Sequence, residues 1–243
     1  GASGYFAIFV GGPIGGLMGL VLGGGFALRR ACYRGFAAVG VRRRDEVHQR
    51  GDHEACMGLT LREAIRETTA QHLDAGRLVM GECLSAVGWV NGTLPERQDM
   101  IELPMADVAN SGFAVGAALA RKRPILIIRY QGFSWFGAAL IVNYAAKSKA
   151  LWGVPCPLLV RSIAMEGGIG PVAGSSHHSL YHRMPGVKIV SPMTPGEWRV
   201  AYEDFMAGDD VVYLSEHRKA YDNSDEFSPW IGGHNPDIVL FPI

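Results

Sequence analysis

The sequence predicts an α/β fold with a doubly wound, mainly parallel sheet and helices on both of its faces. Short runs rich in Val, Ile and Leu recur along the chain. Segments with apolar residues at helical spacing lie between these runs, and such alternation is typical of parallel sheets. The runs also lack strict polar–apolar alternation, as expected for strands that helices cover on both sides.

The individual elements follow from spacing and from cap residues. The first clear helix begins after Thr60 and ends near residue 75, because Thr60 and Glu63 have the spacing of a capping box. Thr194 and Glu197 repeat this signal. Helices are predicted over 108–121, 135–152 and 197–206. Strands are predicted over 78–80, 100–101, 125–128, 158–160, 188–190 and 211–213.

Charge and cysteine content narrow the function classes. The 243 residues carry 23 basic and 23 acidic side chains. This balance argues against general binding to nucleic acid or to an anionic membrane, and favours a small molecule or a protein as partner. Four cysteines without C-x-x-C spacing do not predict a zinc site or a disulfide framework, so a cytoplasmic location is expected.

Residues 1–56 differ in composition from the rest. Residues 1–28 are uncharged and include ten glycines, whereas residues 29–50 carry seven arginines. Three interpretations stand side by side: a non-native segment in front of a start at Met57, a membrane anchor over residues 5–28, or a glycine-rich linker. No functional expectation is built on this segment.

The loop 166–182 is the first candidate site, because it follows a predicted strand end and is rich in Gly, Ser and His. Its glycines lack the spacing of the known phosphate-binding loops. His177, His178 and His182 lack a nearby carboxylate or cysteine to complete a zinc site. Histidines that hydrogen-bond a ligand are therefore favoured over a metal, and this chain is expected to hold none.

The second candidate site lies at Pro104 and Asp107, where a strand end meets a helix rich in small residues. A Pro-x-x-acid stretch is followed here by Gly112, Ala114, Gly116 and Ala118. This pattern resembles the transketolase-like pyrimidine-binding domain of thiamine diphosphate enzymes. It is most similar to the beta subunits of 2-oxo acid dehydrogenase first components of the pyruvate, branched-chain or acetoin type.

Further stretches extend the resemblance over about residues 59–222. They are Gly81-Glu82, Phe133, Asn143-Tyr144-Ala145-Ala146-Lys147 and the run from Pro185 to Pro192. The resemblance implies a pyrimidine-binding domain over 57–228. Residues 229–243 are then a linker and the first strand of a truncated C-terminal domain.

The resemblance also implies roles for particular residues. The Asp107 carboxyl would hydrogen-bond the pyrimidine ring nitrogen, which favours the imino tautomer that deprotonates the thiazolium carbon. Glu82 would line the pyrimidine pocket and Phe133 would stack on the ring. His178 would stabilise charge or transfer a proton on the substrate side, with His177 as its neighbour and rival.

Simpler explanations compete with each of these roles. Asp107 is also a suitable helix N-cap, Phe133 a core residue, Glu82 a solvated acid and His178 a surface residue. The family acid is normally glutamate, so Asp107 is shorter by one methylene. The segments 86–98 and 178–185 are also shorter than in typical beta subunits.

The sequence shows no motif for the diphosphate end of the cofactor. The family binds Mg²⁺ and diphosphate with a Gly-Asp-Gly motif, and Gly208-Asp209-Asp210 does not match it. The resemblance therefore implies an alpha-type partner in an α₂β₂ heterotetramer, a 2-oxo acid substrate and a lipoyl-bearing acyltransferase as acceptor. Two alternatives remain: a split transketolase-like carboligase subunit, and a noncatalytic homologue that binds a partner.

Overall fold

The computed structural model describes residues 58–166 and 169–227. The leading segment 1–56, Gly167, Gly168 and the expected strand within 229–243 lie outside the described residues. No helix in the described part is both long enough and apolar enough to cross a bilayer.

Six strands form one sheet in which every neighbouring pair is parallel. The prediction of a parallel sheet is confirmed, and each predicted strand is present. The strands are β1 (Val79–Glu82), β2 (Ile101–Leu103), β3 (Ile125–Ile128), β4 (Leu159–Ala164), β5 (Val187–Val190) and β6 (Val211–His217). Their spatial order is β2-β1-β3-β4-β6-β5. Strand β2 lies on one side of β1 and all later strands lie on the other, so the strand order reverses between β1 and β3.

Helices cover both faces of this sheet, as the doubly wound prediction requires. They are α1 (Leu61–Asp74), α2 (Asp107–Leu119), α3 (Ser134–Leu140), α4 (Ala146–Trp152) and α5 (Pro195–Ala207). Helices α1 and α5 pack on one face, where Val79 and Ile125 point. Helices α2 and α3 pack on the other face, where Met80 and Leu126 point. The alternation of neighbouring strand residues between two apolar clusters follows from the period of two in a strand.

The predicted capping box at the start of α1 is confirmed. The Thr60 hydroxyl accepts from the backbone N–H of Glu63 at 3.3 Å, and a Glu63 carboxylate oxygen accepts from the backbone N–H of Thr60 at 2.8 Å. Both bonds satisfy donors that a helix N-terminus leaves free.

The segment predicted as one helix over 135–152 is interrupted. A π-helical turn, Ile141–Ala145, separates α3 from α4, and the helix ends at Gly153 with a left-handed φ of 66°. The apolar spacing across Ile141–Ala145 remains compatible with an α-helix, so the sequence does not reveal the inserted turn.

A left-handed turn replaces regular structure after β1. Within the segment Ala86–Gly92, five consecutive residues from Val87 to Asn91 have φ between 52° and 59°. Residues other than glycine are strained in this region because Cβ approaches the following carbonyl oxygen. This turn was not predicted, although the segment 86–98 stood out as short.

Helices α2 and α3 approach each other closely at Gly137. A Cβ atom built there would lie 1.9 Å from Oγ of Ser111, a buried residue of α2. At Gly112, a Cβ atom would lie 3.1 Å from a methyl carbon of Leu140. The small residues of α2 thus permit the contact that fixes this helix against the segment following β3.

Candidate functional site

A small open cleft lies where the carboxyl ends of β1 and β3 meet. This is the point at which the strand order reverses, the usual place for ligands in open α/β sheets. The cleft is lined by residues at and just after the ends of β1 and β3 and by residues around the start of α2. The lining residues are Gly81, Glu82, Cys83, Met105, Asp107, Asn110, Ser111, Leu126, Ile127, Ile128, Arg129, Tyr130 and Phe133. The structure therefore brings Glu82, Asp107 and Phe133 to one site.

Asp107 is the first residue of α2, and its half-buried side chain lines the cleft. The N-cap position belongs to Ala106, whose own side chain makes no cap hydrogen bond. The alternative that Asp107 serves as N-cap is therefore wrong. Its carboxylate has no hydrogen-bond or ion-pair partner in the described part of the chain, so it is available to a ligand.

Glu82 fixes the entry into α2. Its Oε1 accepts from the backbone N–H of Ala106 at 3.0 Å and from the side-chain amide of Asn110 at 2.5 Å. The same amide nitrogen also donates to the carbonyl oxygen of Pro104 at 2.7 Å. Oε1 of Glu82 is thus engaged by the loop that carries Asp107, so Glu82 is not a freely solvated acid, and it also lines the cleft.

Phe133 forms part of the cleft wall and is half-buried. It lies in the short 3₁₀ turn Gln131–Phe133 after β3. Its ring centroid is 5.8 Å from that of Tyr130 and 6.2 Å from that of Phe136, on which it stacks. Phe133 therefore both lines the cleft and packs against neighbouring aromatic rings.

Arg129 is a cleft residue that the sequence reasoning missed. Its guanidinium group lies 5.5 Å from the ring centroid of Tyr130 and donates to the carbonyl oxygen of Cys83 at 3.2 Å. Arg129 follows directly after the buried strand β3, and this position alone could have indicated that it lies at the ligand-binding edge of the sheet.

The two histidines do not line this cleft. They lie in the loop after β4, and His178 begins the 3₁₀ turn His178–Tyr181. Nδ1 of His178 is 2.8 Å from Oγ of Ser176 and 3.1 Å from Oγ of Ser215 in β6. Burial lowers the pKa of His178, and the nearby charges of His217 and His182 lower it further.

His177 has a different environment from its neighbour. Its Nδ1 accepts from the indole N–H of Trp135 at 3.0 Å, and its Nε2 is buried without a partner. The two histidines that the sequence left as rivals therefore differ: His177 is engaged by Trp135, whereas His178 is bound at Nδ1 by two hydroxyl groups.

Gln131 connects the histidine loop to the cleft and was also missed. It is fully buried, and its side-chain oxygen accepts from the backbone N–H of His177 at 2.7 Å. Its side-chain nitrogen donates to the carbonyl oxygen of Ser162 at 3.1 Å and to Oγ of Ser215 at 2.8 Å. Two residues further on, Phe133 lines the cleft.

Within the described residues, no group of three or more His, Cys, Asp and Glu side chains is arranged to hold a metal ion. Chemically, the cleft offers a carboxylate without a partner, an aromatic wall and an apolar floor. These features suit a flat heteroaromatic ring that has a nitrogen to hydrogen-bond.

Known proteins share this domain. Residues 57–223 match the family model described as transketolase, pyrimidine binding domain. The 2-oxoisovalerate dehydrogenase subunit beta of Bacillus subtilis is 30% identical over 135 residues, which are 50% of this chain and 38% of that protein. The pyruvate dehydrogenase E1 component subunit beta of Rickettsia bellii is 29% identical over 187 residues, 71% of this chain and 56% of that protein.

A solved structure supports the fold. The protein described as "Split gene transketolase, inactive beta4 tetramer" superimposes with a TM-score of 0.53 at 16% identity, over 76% of this chain and 57% of that one. The chain thus spans only part of the length of its relatives. Because the family model covers 57–223, which includes the sheet, the cleft and the histidine loop, the chain belongs to the transketolase-type pyrimidine-binding domain family.

Proposed function

We propose that this chain is the beta-type subunit of a thiamine diphosphate-dependent 2-oxo acid dehydrogenase and supplies the aminopyrimidine half of the active site. The observation that carries the proposal is the cleft at the strand-order reversal, where Asp107 presents a carboxylate without a partner beside Phe133. The subunit names of the relatives agree with this assignment.

The residues of the cleft fit the aminopyrimidine ring. Its ring nitrogen and flat faces require one carboxyl group and apolar or aromatic walls, and Asp107, Phe133 and Leu126 offer them. When bound, thiamine diphosphate would supply a thiazolium ring whose deprotonated carbon adds to the 2-oxo acid and whose positively charged nitrogen takes up the electron pair released on decarboxylation.

Each residue of this chain then has a defined task. Asp107 holds a proton on the pyrimidine nitrogen, and Glu82 keeps Asp107 in place by binding the backbone of Ala106. Phe133 orients the ring by stacking. His178 exchanges a proton with the substrate side, for which its lowered pKa keeps it neutral at physiological pH.

An alpha-type partner is proposed to bind the diphosphate and Mg²⁺. The support is that the relatives are named as beta subunits and that apolar side chains at and near the cleft are exposed. Met105, which lines the cleft, is 80% exposed, and Val108 and Phe136 are each more than half exposed. We propose an α₂β₂ assembly that passes the acyl group to a lipoyl-bearing acyltransferase, in the cytoplasm.

The test compares three substitutions of this chain, each assembled into a complex with an alpha-type subunit. Asp107→Asn keeps the size of the side chain but removes the acid, so deuterium exchange at the thiazolium carbon should slow at least about 100-fold. Asp107→Glu should keep or raise the exchange rate. Asp204→Asn, an exposed change on α5 away from the cleft, is the matched control.

The outcomes separate the alternatives. Exchange in Asp107→Asn at the wild-type rate would refute the role of Asp107. No binding of thiamine diphosphate by the complex would indicate a noncatalytic homologue. Normal exchange with transfer to small aldehydes, but not to a lipoyl acceptor, would indicate a carboligase.

A further inference from the structure

A second pocket lies at the carboxyl end of β6 and shares no lining residue with the cleft at β1 and β3. It is open to solvent and is lined by Arg62 from the start of α1, Asn91 from the left-handed turn after β1, and Arg218, Lys219 and Asp222 from the segment after β6. Three of these side chains are cations and one is an acid. The pocket is therefore polar and positively charged.

Arg218 follows directly after β6 and is half-buried. Its Nη2 donates to the carbonyl oxygen of Glu166 at 2.9 Å, which fixes the position of the guanidinium group. In the described part of the chain, its Nε and Nη1 have no acceptor and no carboxylate lies within ion-pair distance. Arg218 thus brings a positioned cation with free N–H donors to the pocket.

Arg62 is held in place on several sides. Its Nη1 donates to the carbonyl oxygen of Asn91, and its Nη2 forms an ion pair with the carboxylate of Asp222. Its guanidinium carbon lies 5.6 Å from the ring centroid of the buried Tyr221. A planar group that is already oriented loses little rotamer entropy when it binds a further acceptor.

The acid of the pocket balances only part of this charge. The Asp222 side chain is 81% exposed and pairs with Arg62. Lys219 is exposed, and among the described residues its ammonium group has no partner. Arg218 and Lys219 therefore give the pocket two positive charges that no side chain in the described ranges compensates.

We propose that this pocket binds a phosphate dianion. At neutral pH a phosphate monoester carries a charge of about −1.5 to −2, which matches the two uncompensated charges. The guanidinium of Arg218 can donate to two phosphate oxygens, while Lys219 supplies a mobile point charge. Because the pocket is open, a small molecule that carries the phosphate also has room.

The test is calorimetric titration of the complete chain with inorganic phosphate, with glycerol phosphate and with succinate, at neutral pH and constant ionic strength. We expect saturable phosphate binding at one site per chain. Lys219→Gln should weaken this binding about threefold, the usual effect of a screened surface charge. Arg218→Gln should weaken it at least about tenfold, because it removes charge-assisted hydrogen bonds.

Lys219→Gln is the decisive variant, because Arg218 also binds the backbone of Glu166 and its loss can disturb the fold. Lys122→Gln is the matched control. Lys122 is exposed between α2 and β3, at the amino-terminal edge of the sheet, and its loss should leave phosphate binding unchanged. Asp222→Asn removes the acid of the pocket and should tighten phosphate binding about threefold.

The titrations distinguish the source of the phosphate. Tighter binding of glycerol phosphate than of inorganic phosphate identifies a phosphorylated small molecule as the ligand, and the reverse order identifies free phosphate. No saturable binding, equal losses in Lys219→Gln and Lys122→Gln, or tighter binding of succinate than of both phosphates overturns the proposal. The inference is independent of the proposed function: a complex that binds no thiamine diphosphate would contradict that function and leave the phosphate site standing.

Discussion

Alanine at Gly137 is expected to lower the free energy of unfolding by up to about 2 kcal/mol. Its Cβ would lie 1.9 Å from Oγ and 2.8 Å from Cβ of Ser111. Rotation of the hydroxyl relieves the first overlap but not the second, so α2 and α3 must move apart. Overpacking of this kind costs about 1–3 kcal/mol, and the higher helix propensity of alanine offsets about 1 kcal/mol.

A second substitution tests this explanation directly. Ser111→Gly removes both overlapping atoms, and the nearest remaining atom is the carbonyl oxygen of Asp107 at 3.5 Å, an ordinary contact. In that background, Gly137→Ala should be neutral or stabilising by up to about 1 kcal/mol. The expected coupling free energy between the two sites is therefore about 2 kcal/mol.

Urea denaturation of the wild-type chain, both single variants and the double variant measures this coupling. Equal effects of Gly137→Ala in the two backgrounds, within about 0.5 kcal/mol, would falsify the proposed overlap. Because Asp107 precedes Ser111 by one helical turn, Gly137→Ala should also weaken cofactor binding by the assembled complex, and Ser111→Gly should restore it.

Two further predictions concern stability. Burial lowers the pKa of His72 to about 4 from 6.5, and its neutral ring donates from Nε2 to the carbonyl oxygen of Arg123 at 3.0 Å. As the pH drops, the unfolded state therefore binds a proton at His72 before the folded state does. The free energy of unfolding should fall between pH 6.5 and pH 4, by at most about 3 kcal/mol. Urea denaturation of the wild-type chain and of His72→Gln at each pH isolates this loss, and a difference between the two proteins that does not change with pH contradicts it. Val87 is 62% exposed and has a left-handed φ of 53°, which glycine adopts without strain. Val87→Gly should therefore be neutral or should stabilise the fold by up to about 1 kcal/mol. Val200 lies in the right-handed helix α5, so Val200→Gly should destabilise the fold by about 1 kcal/mol. Thermal unfolding measures the stability of both glycine variants, and equal losses of stability in Val87→Gly and Val200→Gly would show that the left-handed turn is not strained.

The fold was predictable because its signals are local. Apolar runs identified all six strands, and Thr60 and Thr194 marked two helix starts by side-chain bonds within four residues. The π-helical turn Ile141–Ala145 and the left-handed turn from Val87 to Asn91 were not predictable in this way. Gly88 and Asn91 adopt a left-handed φ readily, but Val87, Trp89 and Val90 disfavour it, so the sequence of this turn gives no consistent local signal.

The site was predictable only in part, for a related reason. The motif at Asp107 placed an acid at a helix start, and the structure puts that acid at the cleft. Gln131 gave no comparable signal, because its partners Ser162 and Ser215 are distant in sequence and meet it only when β4 and β6 pair. Separating His177 from His178 likewise required the position of Trp135.

The seven residues from Gln131 to Gly137 connect both halves of the candidate site. Gln131 holds the histidine loop, Phe133 lines the cleft, and Gly137 sets the approach of α2, which carries Asp107. These residues form one continuous helical stretch, because the 3₁₀ turn Gln131–Phe133 leads directly into α3. A displacement imposed at Gly137 should therefore reach Gln131 as well as α2. Weaker cofactor binding in Gly137→Ala with an unchanged NMR signal for the backbone N–H of His177, which Gln131 binds, would instead mean that α2 alone moves, and that the two halves of the site are held independently.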